Sequence, residues 1–432
     1  MSIARSMVLA AALGGMSAGA HANAVTKWNN VLLDAVAGTG TPPPRSSRAM
    51  AMVQLAVFDA VNAMDGRWNA YLPAPIALDE PCSRKAAVAA AAHGVLSSLY
   101  PTLQGSFDAM LSRQLAGLNN TLARDNGLAL GGACATAILD ARLNDNSTTV
   151  VPYTPGVLPG QWRPTLPANA PGLLPNWPTV TPFTMTGGDQ FRQGGPPDLA
   201  SAEYAAAFNQ VKEIGALNSA TRTQEQTEIA LLWAAGGGTV TPPGQWSQIA
   251  QQIIRNEGMS VTQSARVMGM VSAALADAAI VSWDMKYEYE LWRPIAAIRE
   301  ADSDGNDATD ADLSWLPLIA TPPFPEYTSG HSTFSRAAAT ILQLVTGADS
   351  HAFTVTSGGV TRSYTSLDDA ANEAGLSRIY GGIHFDFSNV DGQLSGQLLG
   401  EWIYANYFLE VPAPGGAALL LTGLLASTRR RR

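Results

Sequence analysis

The chain has 432 residues, of which 46% are hydrophobic and only 14% are charged, so it is long and apolar enough to form a sizeable core. Its length fits one large domain or two medium ones. Its formal net charge is −9, and no basic tract precedes the extreme C-terminus, which argues against general nucleic-acid binding.

The N-terminus has the layout of an export signal. Arg5 supplies a positive charge, and residues 7–16 form an apolar stretch that is too short to span a bilayer. Small residues at positions 20, 22 and 24 then offer two cleavage sites. We therefore predict a signal peptide over residues 1–24 and an exported protein. The alternative is a buried first helix, which the glycines between positions 14 and 19 disfavour.

Residues 25–150 are predicted to form an N-terminal helical region. Three stretches combine Ala and Leu content with the apolar spacing of buried helices: 47–62, 85–100 and 122–143. Cys82 and Cys134 are the only cysteines of the chain. They could form one disulfide outside the cytosol or remain two buried thiols, but two isolated cysteines are no zinc signature.

The segment 151–200 separates two helical regions. Eleven of the 27 prolines lie between positions 151 and 197, which excludes regular helix or central strand. Trp162, Trp177, Phe183 and Phe191 also lie there, and such an aromatic content is high for a free linker. We predict an ordered segment that wraps over a helical body; the alternative is a disordered linker.

Residues 201–410 are predicted to form a second, catalytic helical bundle. The helical stretches are 202–214, 224–234, 245–256, 260–286, 332–345 and 391–408. Two short strands, 354–356 and 361–364, could pair around two glycines. The chain as a whole is therefore predicted to be all-α and built from helical bundles.

The C-terminus, 411–432, resembles the PEP-CTERM sorting signal of exported Gram-negative proteins. A proline-containing motif at 411–414 precedes an apolar run at 415–426 and an arginine cluster at 429–432. The run is shorter than the roughly 20 residues that a full membrane span needs. Ala413 replaces the glutamate that this signal usually carries. The resemblance implies recognition by an envelope sorting machinery; the alternative is a frayed hydrophobic tail.

Three segments of the second bundle carry residues that could together hold an oxyanion. Lys286 and Arg293 are seven positions apart, or about two helical turns, so we expect both on one face of a helix. Pro294 should end or kink that helix. Taken alone, the two cations could equally be a solvated stripe.

The second segment is Ser329-Gly330-His331, which follows a stretch rich in proline. Ser329 is a plausible N-cap of a new helix, whose free N–H groups would form an oxyanion site. Gly330 would let the backbone approach a ligand closely, and His331 could exchange a proton with it. A histidine at a helix start is more often a simple cap or a surface residue.

The third segment joins Arg378 and His384, which are six positions apart. In one continuous helix they would point in different directions, but Gly381-Gly382 can end the helix and let His384 turn back. Arg378 would then neutralise an oxygen while His384 acts as a nitrogen ligand or nucleophile. Asp386 could orient a neighbouring group. Taken alone, the pair could be a helix-end arginine and a surface histidine.

Together, these segments resemble the signature of the superfamily of vanadium-dependent haloperoxidases and type 2 phosphatidic acid phosphatases. The signature is Lys-x6-Arg-Pro, then Pro-Ser-Gly-His, then Ser-Arg-x5-His. Thr328 stands where the signature has the proline of Pro-Ser-Gly-His. The surroundings of Lys286 and Phe324 are most similar to the chloroperoxidase branch. The resemblance covers most of residues 25–410 and implies an all-α fold with paired four-helix bundles.

The resemblance also implies roles for individual residues. Five of them would hold the oxygens of vanadate, or of phosphate in the same site: Lys286, Arg293, Ser329, Gly330 and Arg378. His384 would bind vanadium directly, His331 would act as general acid–base, and Lys286 would polarise bound peroxide. Trp283 and Phe324 match positions that line the halide side.

Three functions follow as hypotheses. The first is an exported haloperoxidase that oxidises halide with hydrogen peroxide to hypohalous acid. The second is a metal-free acid phosphatase, in which His384 attacks the phosphorus of a phosphoester and His331 protonates the leaving group. The third is a non-catalytic oxyanion-binding envelope protein, for which neither histidine would be required.

Overall fold

The computed structural model describes residues 23–412. Most of the predicted export signal and residues 413–432 of the predicted sorting tail therefore lie outside the described residues. Everything that follows concerns the described part of the chain.

Helices dominate this part of the chain, and the prediction of an all-α fold is confirmed. The α-helices are α1 (Ala24–Thr39), α2 (Pro43–Asp65), α3 (Arg84–Leu99), α4 (Gln104–Leu115), α5 (Thr121–Ala141), α6 (Ala202–Ile214), α7 (Gln224–Leu232), α8 (Thr241–Asn256), α9 (Val261–Tyr289), α10 (Pro294–Arg299), α11 (Gly330–Thr346), α12 (Leu367–Tyr380) and α13 (Asp386–Asn406). The strands β1 (Ser350–Ser357) and β2 (Val360–Ser366) pair as an antiparallel hairpin. The patterning does not predict α1, α4 or α10.

Helix α9 belongs to both halves of the fold. It packs against α2, which in turn packs against α3 and α5, and it also packs against α8, α11 and α13. Residues 267–286 of this helix are all buried, because apolar and small side chains cover its entire circumference. By length and composition α9 could cross a membrane, but 94% of its most apolar 18-residue window is buried, as in the core helix of a bundle.

The pairing of α11 with α13 depends on glycines that have no room for a side chain. A Cβ on Gly392 would lie 2.8 Å from the carbonyl oxygen of Ser329, and one on Gly396 would lie 2.5 Å from that of Thr333. Both contacts are shorter than van der Waals separation, so the two helix backbones can meet only because these positions are glycine. This close approach fixes the start of α11 against α13.

The Pro-rich segment lies against the helices with only short 3-10 turns of its own. The buried carboxylate of Asp277 on α9 accepts hydrogen bonds from the Phe183 and Thr184 backbones, both at 2.7 Å. Earlier in the segment, Trp162 N donates to Glu290 O, in the turn after α9, at 2.6 Å. Backbone groups of the segment thus form hydrogen bonds with α9 and with the turn after it.

Both cysteines are free thiols. Cys134 is buried and Cys82 is half-buried, and no disulfide joins them. Burial raises the pKa of the Cys134 thiol to about 12, with Asp59 acting in the same direction. Of the two alternatives that the sequence left open, the structure has the unpaired thiols.

Candidate active site

The ammonium group of Lys286 lies against the turn that precedes α11. Lys286 is in the last turn of α9 and is fully buried. Its Nζ donates to the carbonyl oxygens of Pro325 and Glu326, at 3.2 and 3.0 Å, and to that of Thr328. These hydrogen bonds fix the turn before α11 and the position of the ammonium group relative to each other.

Arg293 approaches from the turn after α9. It is fully buried, and its Nε donates to Phe324 O at 2.9 Å while its Nη1 donates to Ile383 O at 2.8 Å. The same Nη1 lies 3.0 Å from His384 Nε2. Expecting Lys286 and Arg293 on one helix face was wrong, because Glu290 adopts a left-handed conformation (φ 48°) and ends α9 first. Arg293 instead is the N-cap residue of α10, with Pro294 as its first residue.

Ser329 is the N-cap of α11, as predicted. Its side chain accepts a hydrogen bond from Ser332 N, and its own N–H donates to Ser388 O at 3.0 Å. A Cβ on Gly330 would meet only ordinary contacts, the nearest being Ser282 Oγ at 3.5 Å. Protein packing therefore does not require a glycine there, which leaves room for a ligand beside the helix start. Thr328 is fully buried, and its peptide bond with Tyr327 is cis.

Arg378 and His331 meet at the carbonyl oxygen of Trp233, just after α7. His331 Nε2 lies 2.9 Å from this oxygen, and Arg378 Nη1 donates to it at 3.2 Å. Because a carbonyl only accepts, Nε2 of His331 carries a proton, and Nδ1 holds the lone pair of the neutral ring. One backbone oxygen thus orients both side chains.

His384 lies beyond the glycines that end α12, as the sequence predicts, and it is buried. Its Nδ1 lies 2.7 Å from Oε1 of Glu326. The Glu326 carboxylate is itself fully buried and also accepts from Phe385 N at 2.9 Å and from Ser388 Oγ. Asp386, which the sequence suggested as an orienting group, begins α13 and contacts Asn389 instead.

Burial and like charges set the protonation of the histidines. Burial, followed by Arg378, lowers the pKa of His331 well below 6.5. Burial, followed by Arg293 and Lys286, does the same to the pKa of His384. Both rings are therefore neutral at neutral pH, and Nε2 of His384 presents a lone pair.

Burial and mutual repulsion lower the pKa values of the cationic side chains as well. Burial lowers the pKa of Arg293 to about 10 and that of Arg378 to about 9, with Arg293 adding to the effect on Arg378. Burial lowers the pKa of Lys286 as well, again with help from Arg293. Glu326, whose own pKa burial raises to about 7, is the carboxylate that opposes these charges.

The donor set fits a tetrahedral oxyanion such as vanadate or phosphate. Arg293 Nη2 and Arg378 Nε are buried donors with no partner in the protein. A buried donor without a partner costs about 1–3 kcal/mol, which a bound oxyanion would recover. Vanadate would meet positive charge from three residues, N–H groups at the start of α11 and a ring nitrogen at His384.

The predicted halide-side residues form an aromatic wall beside the cations. The rings of Trp283 and Phe324 lie 4.8 Å apart between centroids. Lys286 Nζ is 5.8 Å from the first ring and 5.1 Å from the second. Trp283 Nε1 donates to Leu173 O at 3.1 Å, so the Pro-rich segment supports this wall.

The nine residues to which the family resemblance assigns roles lie in or beside this one site, whereas Glu326 and Trp233 were missed. Glu326 lies three positions before Ser329, at the end of the proline-rich stretch, but nothing local marks it as the partner of a histidine 58 positions away. Trp233 contributes only a backbone oxygen, for which side-chain identity carries no signal.

Comparisons with known proteins point to one family. The family model for the vanadium chloroperoxidase N-terminal domain matches residues 20–175, and that for the VCPO second helical-bundle domain matches residues 266–409. The vanadium chloroperoxidase of Curvularia inaequalis is 30% identical over 402 residues, covering 73% of this chain. The chain spans 64% of the length of that relative.

Solved structures give the same result. The first bacterial vanadium-dependent iodoperoxidase superposes with a TM-score of 0.80 at 28% identity, covering 90% of this chain and 97% of its own. A bacterial vanadium-dependent chloroperoxidase in its holo form has a TM-score of 0.69 at 17% identity, covering 85% and 92%, and it shows the fold alone. With two domain models matched and this fold shared, the chain belongs to the vanadium haloperoxidase family.

Proposed function

We propose that this protein is a vanadate-dependent haloperoxidase, which oxidises halide with hydrogen peroxide to hypohalous acid. The observation that carries the proposal is the lone pair on Nε2 of the buried His384, which lies 3.0 Å from Arg293 Nη1 and beside the cations Lys286 and Arg378. Two of these cations keep buried donors without a protein partner. Membership in the vanadium haloperoxidase family supports the same reaction.

Each residue has a task in this reaction. Bound vanadate would supply Lewis-acid activation of hydrogen peroxide. Lys286, Arg293 and Arg378 would neutralise its oxygens, and the N–H groups at Ser329 and Gly330 would add hydrogen bonds. Nε2 of His384 would bind the central atom. Nδ1 of His331 would take up and return the proton of the incoming peroxide.

The test is reconstitution. Residues 23–412 would be purified without phosphate, incubated with orthovanadate and assayed with peroxide and iodide, bromide or chloride. We expect halide oxidation that depends on added vanadate and is abolished in His384→Ala. Halide oxidation that stays undetectable with vanadate bound would overturn the proposal, and vanadate-free hydrolysis of a phosphomonoester would then identify a phosphatase.

We further propose that the protein is exported and that its C-terminal tail is a sorting signal. The support is in the sequence: an apolar N-terminal stretch with small-residue cleavage sites, and a proline–apolar–arginine tail. Val411 N donates to Arg67 O at 2.9 Å, so a truncation should keep this residue and remove 413–432. The truncated protein is expected to leave the envelope fraction. Unchanged fractionation in a Gram-negative host would count against the sorting role.

A further inference from the structure

We infer that Glu326 is a positioning residue whose carboxylate makes Nε2 of His384 a stronger ligand for vanadium. The inference rests on the proposed function, because it concerns the bond that His384 would form with vanadate. It assigns a task to a buried charge that the cation-and-histidine description of the site leaves unexplained.

The first step is the position of the ring proton. Arg293 Nη1 lies 3.0 Å from Nε2 of His384, and a guanidinium group can only donate. Nε2 is therefore the acceptor, and the proton of the neutral ring is on Nδ1. That proton points to Oε1 of Glu326, 2.7 Å away. The ring is held between a donor on the ligand side and an acceptor behind it.

The second step is the fixed orientation of the carboxylate. Oε1 accepts from both His384 Nδ1 and Phe385 N, while Oε2 accepts from Ser388 Oγ. Lys286 binds the backbone oxygen of Glu326 instead of its carboxylate. The charge of Glu326 is thus directed at the ring of His384 instead of being consumed by a direct ion pair with Lys286.

The third step is the effect on the ligand nitrogen. A carboxylate behind a metal-binding histidine orients the ring and raises its basicity, and losing such a partner typically costs 10- to 100-fold in affinity. Vanadate accepts a fifth ligand readily, so its binding should depend on this basicity. Inorganic phosphate in its tetrahedral ground state needs the cations and N–H donors but no bond to nitrogen.

Glu326→Gln removes the negative charge of the side chain but keeps its size and shape. The amide oxygen of glutamine can replace Oε1 and keep both of its hydrogen bonds. The amide nitrogen can replace Oε2, because the Ser388 hydroxyl can rotate to accept. The variant therefore keeps the ring in place and removes only the negative charge.

The experiment measures the dissociation constants of orthovanadate and inorganic phosphate for the apoprotein by calorimetry at pH 8, above the raised pKa of Glu326, so that its carboxylate is charged. In Glu326→Gln we expect the ratio of the vanadate to the phosphate constant to rise at least 10-fold, with the phosphate constant changing less than threefold. Equal weakening of both anions would mean a merely structural role and would overturn the inference. An unchanged ratio would overturn it as well.

Two further measurements complete the test. Asp391→Asn removes a half-buried carboxylate that accepts from Tyr327 OH at 2.7 Å, next to the same turn but away from His384, and it should leave the ratio unchanged. ¹⁵N NMR of histidine-labelled apoprotein, with His384→Ala for assignment, should show His384 protonated on Nδ1. The Nε2-protonated form would overturn the inference even if the protein has no haloperoxidase activity, whereas Nδ1 protonation without halide oxidation would overturn only the proposed function.

Discussion

Gly392 of α13 lies so close to Ser329, the N-cap of α11, that a Cβ on the glycine would be 2.8 Å from the serine carbonyl oxygen. The obstacle is backbone, which cannot rotate away as a side chain can. The first turn of α11, where vanadate would bind, is therefore positioned by the absence of a side chain on a neighbouring helix.

Gly392→Ala should accordingly destabilise the fold and weaken anion binding. We expect a loss of about 1–3 kcal/mol in unfolding free energy, as for other overpacked sites. The dissociation constant for phosphate should also increase, because α11 must shift away from α13. Denaturant unfolding and calorimetry would measure the two effects.

Gly132→Ala is the matched control for this substitution. Gly132 lies within α5, and a Cβ there would have no atom within 4 Å. Alanine should therefore stabilise the protein by about 0.5–1 kcal/mol through helix propensity alone. Stabilisation by Gly392→Ala as well would contradict the packing argument.

Arg378→Ala should weaken oxyanion binding without unfolding the protein. Its guanidinium donates to Trp233 O and keeps Nε unpartnered, so the charge is available to a ligand. Hydrogen bonds to charged groups contribute about 1.5–3 kcal/mol, which corresponds to a phosphate dissociation constant roughly 10- to 150-fold higher. Calorimetry would measure the constant, and Arg336→Ala, which removes an arginine bound to Asp368, serves as the control. Equal losses in both variants would exclude a specific role.

His331→Gln should change the pH dependence of stability. The pKa of folded His331 lies well below 6.5, so below that pH the unfolded chain takes up a proton that the folded chain does not. The histidine's contribution to stability is therefore complete above pH 6.5 and lost as the pH falls. Glutamine keeps a donor for Trp233 O but does not titrate.

Denaturant unfolding in phosphate-free buffer between pH 4.5 and 8 would test this difference. Near pH 5 the wild type should lose up to about 1.4 kcal/mol more per pH unit than the variant. Glu326 works in the opposite direction in both proteins, because its raised pKa favours the folded state as the pH falls below about 7. Identical slopes for the two proteins would show that the pKa of His331 is not lowered in the folded protein.

Phe324→Ala should raise the Michaelis constant for halide. The ring lies about 5 Å from both Lys286 Nζ and the Arg293 guanidinium, and removing it admits water to these charges. A halide would then compete with water, and we expect its KM to increase about fivefold or more, in line with cation–π energies of roughly 1 kcal/mol. The KM for peroxide should change less than twofold. An equal rise in both constants would place Phe324 outside the halide side; Phe191→Ala, beside Trp402, is the control.

For the proposed exported form, we predict Asn23 as the mature N-terminus, which moves the cleavage site from after Ala24, the end of the signal peptide predicted from the sequence, to after Ala22. The Asn23 side chain accepts from Val25 N and Thr26 N, and its amide donates to Ser264 Oγ at 2.7 Å. Cleavage after Ala24 would remove this N-cap, which is worth about 1 kcal/mol, whereas cleavage after Ala22 keeps it. Mass spectrometry of protein from the periplasm would identify the end. A chain that begins at Val25 would contradict the prediction.

The site could be predicted wherever local residues determine the backbone. Ser329 was predicted as an N-cap, and Gly381-Gly382 as a helix end, because capping depends on the residues at the boundary itself. The expectation that one helix carries both Lys286 and Arg293 was wrong, because Glu290 ends α9 between them and is not a residue that normally takes a left-handed conformation.

Partners that are distant in the sequence could not be predicted. The pairing of Glu326 with His384 spans 58 positions, and that of Arg378 with Trp233 O spans 145. Only the packed fold brings such groups together, and neither partner carries a local signal of the other. The family resemblance gave the oxyanion residues but not the carboxylate behind the histidine.

Helix α9 has a consequence for the modularity of this protein. It carries Lys286 at one end, yet its middle packs on α2, where the ring of Phe58 lies within reach of a Cβ on Gly269. A fragment that starts at residue 201 would contain every residue of the site but would expose the α2-facing side of a 29-residue apolar helix to water. The residues of the site lie in the second half of the chain, but we expect that half to aggregate when it is produced without the first.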